Sequence, residues 1–202
     1  MNVKQDTDKN LLLSSYHYDL DEKMIASSAS EPRDSSKLMV IDKENNTINH
    51  KHFHNLIDYL DENSLIVLNN TRVIPARLFG RKNKDGAKLE VFLIREVVKD
   101  QWLTLVKPGK RLKENNKIYF NDDLSGEVQK VLETGERIIK FVYPENRTFL
   151  EIIKEIGQVP LPPYIKNPDC DSERYQTVYS EQEGSVAAPT AGLHFTSDLL
   201  KS

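Results

Sequence analysis

The chain has 202 residues, of which 38% are hydrophobic and 29% charged, a composition typical of a globular protein and not of a disordered one. Its apolar runs are too short for a membrane-spanning helix, and its polar start lacks the pattern of a secretory leader, so a membrane partner is not expected. A single cysteine, Cys170, excludes an internal disulfide. The cytoplasm is the expected compartment, and a monomer is favoured.

The net charge of −3 is unevenly distributed. Between Arg72 and Lys117 there are 13 Lys or Arg residues against 5 Asp or Glu residues, a surplus of eight positive charges. Such a segment is either a solvated face or a surface for phosphate groups. The charge pattern therefore keeps a nucleic-acid partner open in an acidic protein.

The first third of the chain alternates between strand and helix patterns. Residues 37–42 and the return segment NTINH predict two strands around a KENN turn. The apolar spacing from Phe53 to Leu60 predicts an amphipathic helix, and the run LIVL at 65–68 predicts a strand buried on both faces. Together these elements indicate α/β layering.

From 71 to 147 the pattern changes to five or six short strands separated by turns, with no helix between them. This spacing predicts a small antiparallel β-barrel. Helical periodicity returns at RTFLEIIKEIG, where Gly157 is placed to end the helix. We therefore predict a mixed α/β domain of residues 14–70 and 148–202, an inserted barrel of residues 71–147 and a polar arm of residues 1–13.

The segment FTSDLLKS has the pattern of a helix start, with Thr196 or Ser197 as the N-cap. One turn of helix cannot support itself, and its two leucines need an apolar partner. The pattern predicts that this sequence is a piece of a longer chain, in which the α/β domain is incomplete at its C-terminal side.

Several long blocks occur in an order and spacing that resemble one enzyme family. They are YDLDEKMIA, EPRDSSKLMVID, LNNTRVIPARLFGRK, WLTLVKPGKRLK, GQVPLPPYI and RYQTVYSEQEGSVAAPTAGLHFT. The sequence is similar, over residues 16–200, to the S-adenosylmethionine:tRNA ribosyltransferase-isomerases of queuosine biosynthesis. The resemblance implies the same fold that the pattern predicts, an α/β domain with an inserted β-barrel.

The resemblance also implies a reaction. The ribosyl part of S-adenosylmethionine is transferred to 7-aminomethyl-7-deazaguanine at the tRNA wobble position and isomerised, giving epoxyqueuosine with release of adenine and methionine. S-adenosylmethionine is then a co-substrate, and no other cofactor and no metal are expected. The histidines at 50, 52 and 54 have the spacing of a metal site on a strand, but the helix predicted from Phe53 would break that alternation.

His194 is the candidate catalytic residue, because a histidine near its ordinary pKa can remove or donate a proton. It follows a run of small and rigid residues in which backbone is accessible to a ligand. A histidine in the core, between Leu193 and Phe195, is the alternative. The candidate substrate-binding residues in this run are Ser185, Ala188, Pro189, Thr190 and Gly192.

Two further segments supply candidate substrate-binding residues. Asn69, Asn70, Thr71, Arg72 and Arg77 follow the predicted buried strand, where α/β folds expose ligand-binding groups, although the asparagines could equally make only a turn. Alternation in YQTVY predicts a strand with Tyr175, Thr177 and Tyr179 on one face, for stacking on a base or packing in a core. The segment RDSSK brings together Arg33, Asp34, Ser35 and Lys37 and is interpreted as a solvated turn before a strand.

The candidate tRNA-binding residues are Lys107, Lys110, Arg111 and Lys113, which a Pro-Gly turn would present together at one loop. They also motivate the alternative function, a non-catalytic RNA-binding β-barrel module. The run around His194 separates the two hypotheses, since a module that only binds phosphates has no need of it.

Overall fold

The computed structural model describes residues 8–26, 28–161 and 172–202, so Cys170 and most of the PLPPYI block lie outside the described residues. The described part of the chain has exposed 3-10 helices near its start, at Lys9–Leu11, Leu13–Tyr16 and Glu22–Met24. Among the described helices, none is both long and apolar enough to cross a membrane.

The predicted hairpin is confirmed. Strand β1 (Lys37–Asp42) pairs antiparallel with β2 (Thr47–His52), from Lys37 opposite His52 to Asp42 opposite Thr47. The Asp42 carboxylate accepts hydrogen bonds from the backbone N–H groups of Glu44 and Asn45 at 2.9 and 3.0 Å, which fixes the turn between the strands.

The helix predicted from Phe53 exists, but it is a 3-10 helix, Phe53–Tyr59, with no buried residue. An amphipathic α-helix is stabilised mainly by packing of its apolar face. Ile57 and Leu60 are exposed here, so among the described residues only Phe53 anchors this segment, against His194 and Phe195. The prediction of an α-helix was therefore wrong in type.

The buried strand predicted at 65–68 is wrong for this structure. These residues form no strand, and Leu65 and Val67 are 88% and 87% exposed. A buried strand needs neighbouring backbones on its edges and apolar layers on its faces. The described residues supply neither to this segment.

The barrel is inserted between two strands that pair with each other. Strand β3 (Thr71–Val73) precedes it, and the last described strand, β10 (Gln182–Ser185), returns to lie parallel to β3. The predicted run RVIPARLFGR is thus divided at Pro75, because β3 belongs to this small sheet and only the part from Arg77 belongs to the barrel.

The predicted antiparallel barrel is confirmed as a closed sheet of six strands. Closure leaves no exposed edge, because the short strand Lys117–Tyr119 pairs back onto Arg77–Lys82 through Arg81 opposite Tyr119. The strands, in the order around the barrel, are β4 (Arg77–Lys82), β5 (Lys88–Val98), β6 (Gln101–Lys107), β9 (Arg137–Val142), β8 (Ser125–Val131) and β7 (Lys117–Tyr119).

Helix α1 (Phe149–Ile156) packs onto the barrel core, as its apolar spacing predicts. The Phe149 ring lies 4.7 Å from that of Phe141 and 5.4 Å from that of Trp102, measured between ring centroids. A capping box of Thr148 and Glu151 begins the helix. Gly157 ends it where any larger residue would overlap the carbonyl oxygen of Pro75.

The segment YQTVY is not a strand, contrary to prediction. A 3-10 helix, Ser172–Tyr175, precedes a turn, and the side-chain amide of Gln176 bonds both the N–H and the C=O of Val73 at 2.9 Å. This amide takes the place that a neighbouring strand would have beside β3. One side chain therefore provides the hydrogen bonds to the backbone of Val73 at this edge of β3.

Two valines, one buried in the barrel and one exposed on it, can be used to test which face of the sheet is packed. Val128 is 0% exposed and Val142 is 56% exposed. Val128→Ala should lower the free energy of unfolding by about 2 kcal/mol, because two methyl groups leave a packed core, whereas Val142→Ala should change it by less than about 0.5 kcal/mol. Urea denaturation of both variants measures this difference, and equal losses would contradict the closed barrel.

Candidate functional site

The candidate site forms where the C-terminal loops meet the segment that precedes β1. The run after β10 continues into a 3-10 helix, Thr190–His194, whose Gly192 is buried. A methyl group at Gly192 would overlap the hydroxyl of Tyr179 and lie 3.0 Å from Cγ2 of Thr177. The small residue at this position therefore lets Thr177 and Tyr179 pack against the helix that carries His194.

His194 is held by two contacts. Its Nδ1 atom lies 2.7 Å from Oγ of Ser36, and its ring lies 5.2 Å from that of Phe53, between centroids. Both partners come from the N-terminal third of the chain, more than 140 positions before the histidine. Nε2 makes no hydrogen bond to any of the described residues.

The proton on His194 can be assigned from the network. A serine hydroxyl has one proton, and Oγ of Ser36 also lies 2.8 Å from the carbonyl oxygen of Arg33, which can only accept. Ser36 therefore donates to Arg33 and accepts from Nδ1–H of His194. In the neutral imidazole this places the lone pair on Nε2, the atom that could accept a proton.

The environment favours the neutral imidazole. Burial lowers the pKa of His194 below its ordinary value of 6.5, and the positive charge of Arg174 lowers it further. The backbone of Arg33 acts in the opposite direction, because its carbonyl favours the charged imidazole. At pH 7 the histidine is thus uncharged.

Arg33 joins the two parts of this site, which sequence reasoning missed by interpreting it as a solvated turn. It begins a 3-10 helix, Arg33–Ser35, and its Nη1 donates to the carbonyl oxygens of Arg174, Gln176 and Leu193 at 3.3, 2.9 and 3.2 Å. Next to it, Asp34 accepts a hydrogen bond from the hydroxyl of Thr196 at 3.1 Å. Arg33 thereby fixes both the 173–176 turn and the histidine loop.

A cavity of about 730 Å³ lies on the other side of Gln176, beside β3. It brings together two predicted residues, Arg72 and Tyr175, with Gln176 and Glu183. The Arg72 guanidinium donates to the Ser180 hydroxyl at 3.1 Å and forms an ion pair with Glu173. The volume lies within the range of small-molecule sites.

Two predicted residues have buried hydroxyl groups without a partner. Among the described residues, none makes a hydrogen bond to Oγ1 of Thr71 or of Thr177, although neither oxygen contacts solvent. A buried hydroxyl without a hydrogen bond costs about 1–3 kcal/mol. Both groups therefore have capacity for a ligand.

The other predicted residues divide between turns and the barrel. Asn69 accepts from the N–H of Thr71 at 2.9 Å and makes a local turn, whereas the Asn70 carbonyl accepts from the N–H of Glu181 at 2.8 Å and joins two distant segments of the chain. Ser185 bonds the carbonyl of Ala187 at 2.8 Å. Ala188 and Pro189 are half-buried and Thr190 is exposed in the loop before His194.

Arg77 is not part of this cluster. It lies on β4, where its guanidinium bonds the carboxylate of Glu90 at 2.6 and 3.2 Å. The predicted tRNA-binding residues also lie on the barrel, with Lys107 ending β6, Lys110 and Arg111 in the 3-10 helix Gly109–Arg111, and Lys113 just after it. The three lysines are exposed.

Comparisons with known proteins agree on one family. A family model described as queuosine biosynthesis protein matches residues 13–202. The chain is 52% identical, over 186 residues, to the S-adenosylmethionine:tRNA ribosyltransferase-isomerase of Finegoldia magna, covering 92% of this chain and 53% of that protein. It is 33% identical to the crystal structure of S-adenosylmethionine tRNA ribosyltransferase from Thermotoga maritima, covering 91% of this chain and 51% of that one with a TM-score of 0.36. The chain spans about half the length of these relatives.

The protonation of His194 can be measured directly. An NMR titration of the His194 ring should give a pKa below 6.5. Arg174→Gln should raise that pKa, because a positive charge is removed, but should leave it below 6.5, because burial remains. Since the folded-state pKa lies below the unfolded one, this histidine should also reduce stability progressively as the pH falls from about 6.5 through the folded-state pKa. A wild-type pKa at or above 6.5 would contradict the assignment.

Proposed function

The chain belongs to the queuosine biosynthesis protein family, and we propose that it carries catalytic and binding residues of an S-adenosylmethionine:tRNA ribosyltransferase-isomerase. In this reaction the ribosyl part of S-adenosylmethionine is transferred to 7-aminomethyl-7-deazaguanine at the tRNA wobble position and isomerised, with release of adenine and methionine. S-adenosylmethionine is the co-substrate, and the proposal includes no metal or other cofactor. The proposed compartment is the cytoplasm.

The observation that carries the proposal is the contact between Nδ1 of His194 and the Ser36 hydroxyl, which leaves Nε2 of a neutral imidazole as the proton acceptor. Transfer of the ribosyl group requires removal of a proton from the 5′ carbon next to the sulfonium, and a neutral imidazole is the side chain suited to that step near pH 7. Ser36 is the positioning residue, because its contact at Nδ1 selects the tautomer in which Nε2 is the base. Arg33 acts through the backbone and fixes the loop on which His194 lies.

The binding groups of the proposal lie on either side of Gln176. The unpaired hydroxyls of Thr71 and Thr177 are suited to the ribose hydroxyls. Burial raises the pKa of Tyr179, so its phenol stays protonated and can donate a hydrogen bond. In the 730 Å³ cavity, the Glu173 carboxylate paired with Arg72 stands where we propose that the methionine carboxylate binds.

Replacement of His194 in the full-length protein tests the proposed chemistry. His194→Gln should lower kcat for adenine release by roughly 10²-fold or more, while the melting temperature stays near that of the wild type. The assay uses S-adenosylmethionine and tRNA carrying 7-aminomethyl-7-deazaguanine. If stability and activity fall in parallel, His194 is a core residue and the proposed role is wrong.

Replacement of Ser36 tests the same chemistry through the positioning residue. Ser36→Ala should lower kcat and change the acidic limb of the pH profile, because the tautomer is no longer fixed, and Ser36→Thr should restore both by keeping the hydroxyl.

A wild-type protein that binds the tRNA but releases no adenine would favour the alternative, a non-catalytic RNA-binding module. Methylated tRNA as the product would contradict the proposed reaction altogether.

For tRNA binding we propose the loop that follows β6. Lys110 and Lys113 are exposed on it, and the nearly buried Arg137 supports its backbone by donating to the Gly109 carbonyl at 2.6 Å. A loop held in this way has a fixed backbone, from which the lysine side chains extend into solvent. Together with Lys107 and Arg111 it provides the positive charge that tRNA phosphates require.

Salt-dependent binding tests this loop. Lys110→Ala with Lys113→Ala should weaken tRNA binding and reduce the slope of log K against log salt concentration by about 0.9 for each phosphate that is no longer neutralised, with the affinity for S-adenosylmethionine unchanged. The matched control is Lys130→Ala with Lys140→Ala, two exposed lysines on β8 and β9. Equal slopes for the two double variants would show that the loop is only a solvated face.

A further inference from the structure

A second basic surface lies on the outer face of the barrel, in a groove of about 1060 Å³. Strand register fixes its composition. Phe79 and Arg81 of β4 face outward opposite Glu90 and Lys88 of β5, and Glu90 in turn is opposite Lys107 of β6. The groove is therefore built on rigid, paired strands.

The charges in this groove favour an anionic ligand. Four cationic residues line it: Arg81, Lys84, Lys88 and Lys107. In the described part of the chain, none of these four has a carboxylate partner.

The carboxylates of the groove are largely neutralised. Glu90 is paired with Arg77 at 2.6 Å and Asp123 with Arg147 at 3.0 Å, and both arginines lie outside the groove. Asp122 is the one remaining carboxylate on the lining, and it has no ion-pair partner among the described residues. The lining of the groove therefore has a net positive charge.

Aromatic rings lie among these cations. Phe79 is 47% exposed on β4, and Tyr119 and Phe120 border the groove at the end of β7. The Arg77 guanidinium lies 5.2 Å from the Phe79 ring centroid and orients that side chain. An exposed phenylalanine in a groove that is also lined by lysines provides a surface on which single-stranded bases can stack while their phosphates are neutralised.

We propose that this groove binds a single-stranded segment of RNA, with one base stacked on Phe79 and backbone phosphates at Lys88 and Lys107. The proposal rests on the proposed function in one respect, that the RNA is the substrate tRNA. Lys107 lines the groove and also ends the strand that leads into the Lys110 loop, so the two basic surfaces are continuous. A paired duplex keeps its bases stacked inward and cannot use Phe79.

Two variants separate the charge from the stacking. Lys88→Ala with Lys107→Ala should reduce the slope of log K against log salt concentration by about 1.4, at about 0.7 for each phosphate neutralised in a single strand. Phe79→Leu keeps an apolar side chain of similar size, and it should weaken binding about ten-fold at every salt concentration without changing the slope. Lys130→Ala with Lys140→Ala is the matched control and should leave both values unchanged.

The probes are the substrate tRNA and a ten-nucleotide uridine oligomer, measured by fluorescence anisotropy, with thermal melting of each variant as a folding check. The groove inference is overturned if the lysine pair and Phe79→Leu bind the oligomer as the wild type does, or if a duplex of the same length binds as tightly as the single strand. Failure of the proposed function looks different. In that case the wild type releases no adenine and shows no preference for tRNA, while the groove variants still lose affinity for the oligomer.

Discussion

The guanidinium of Arg33 donates hydrogen bonds to carbonyl oxygens at positions 174, 176 and 193, and the candidate site depends on this one group. The positive charge strengthens each of these bonds. The three acceptors lie on two segments of the chain, the 173–176 turn and the loop that carries His194. Burial and the neighbouring Arg174 lower the pKa of Arg33, but they act on a guanidinium, whose ordinary pKa is far above neutral pH. The arginine therefore remains charged and keeps both loops in place.

The position of Arg33 also determines the chemistry of His194. Its own carbonyl accepts the Ser36 proton, and Ser36 then accepts from Nδ1–H of the histidine. One residue thus fixes the loop with its side chain and the tautomer with its backbone. The barrel is organised differently, since its closed sheet and the packed face of α1 enclose an apolar core. Chemistry and RNA binding accordingly fall on separate parts of the proposed enzyme.

Much of the fold could be predicted from the sequence because it depends on local pattern. The hairpin of β1 and β2, the antiparallel barrel and α1 all follow from alternation, turn residues and apolar spacing. Three predictions failed although the sequence pattern was present, because the neighbouring residues that the pattern implies are missing or different in the described structure. Residues 65–68 have no neighbouring strand among the described residues, the segment from Phe53 has no apolar layer to pack on, and Gln176 replaces the strand expected in YQTVY. For YQTVY the deciding contact is with Val73, 103 positions away in the sequence, and for the other two segments it is the lack of a partner in the described part of the chain.

For the site, the sequence by itself determined the types of residue available: a histidine in a run of small residues, hydroxyl and tyrosine side chains before it, and a basic segment in an acidic chain. It also determined the family resemblance, because long blocks of residues keep their order and spacing. Only the tertiary structure decided that Arg33 and Ser36 belong to the histidine, that Arg77 does not, and that Phe79 lines the same groove as Lys88 and Lys107. The physical reason is that hydrogen bonds and ion pairs form between groups a few ångströms apart in space. Separation along the chain, here 158 positions between Ser36 and His194, carries no information about that distance.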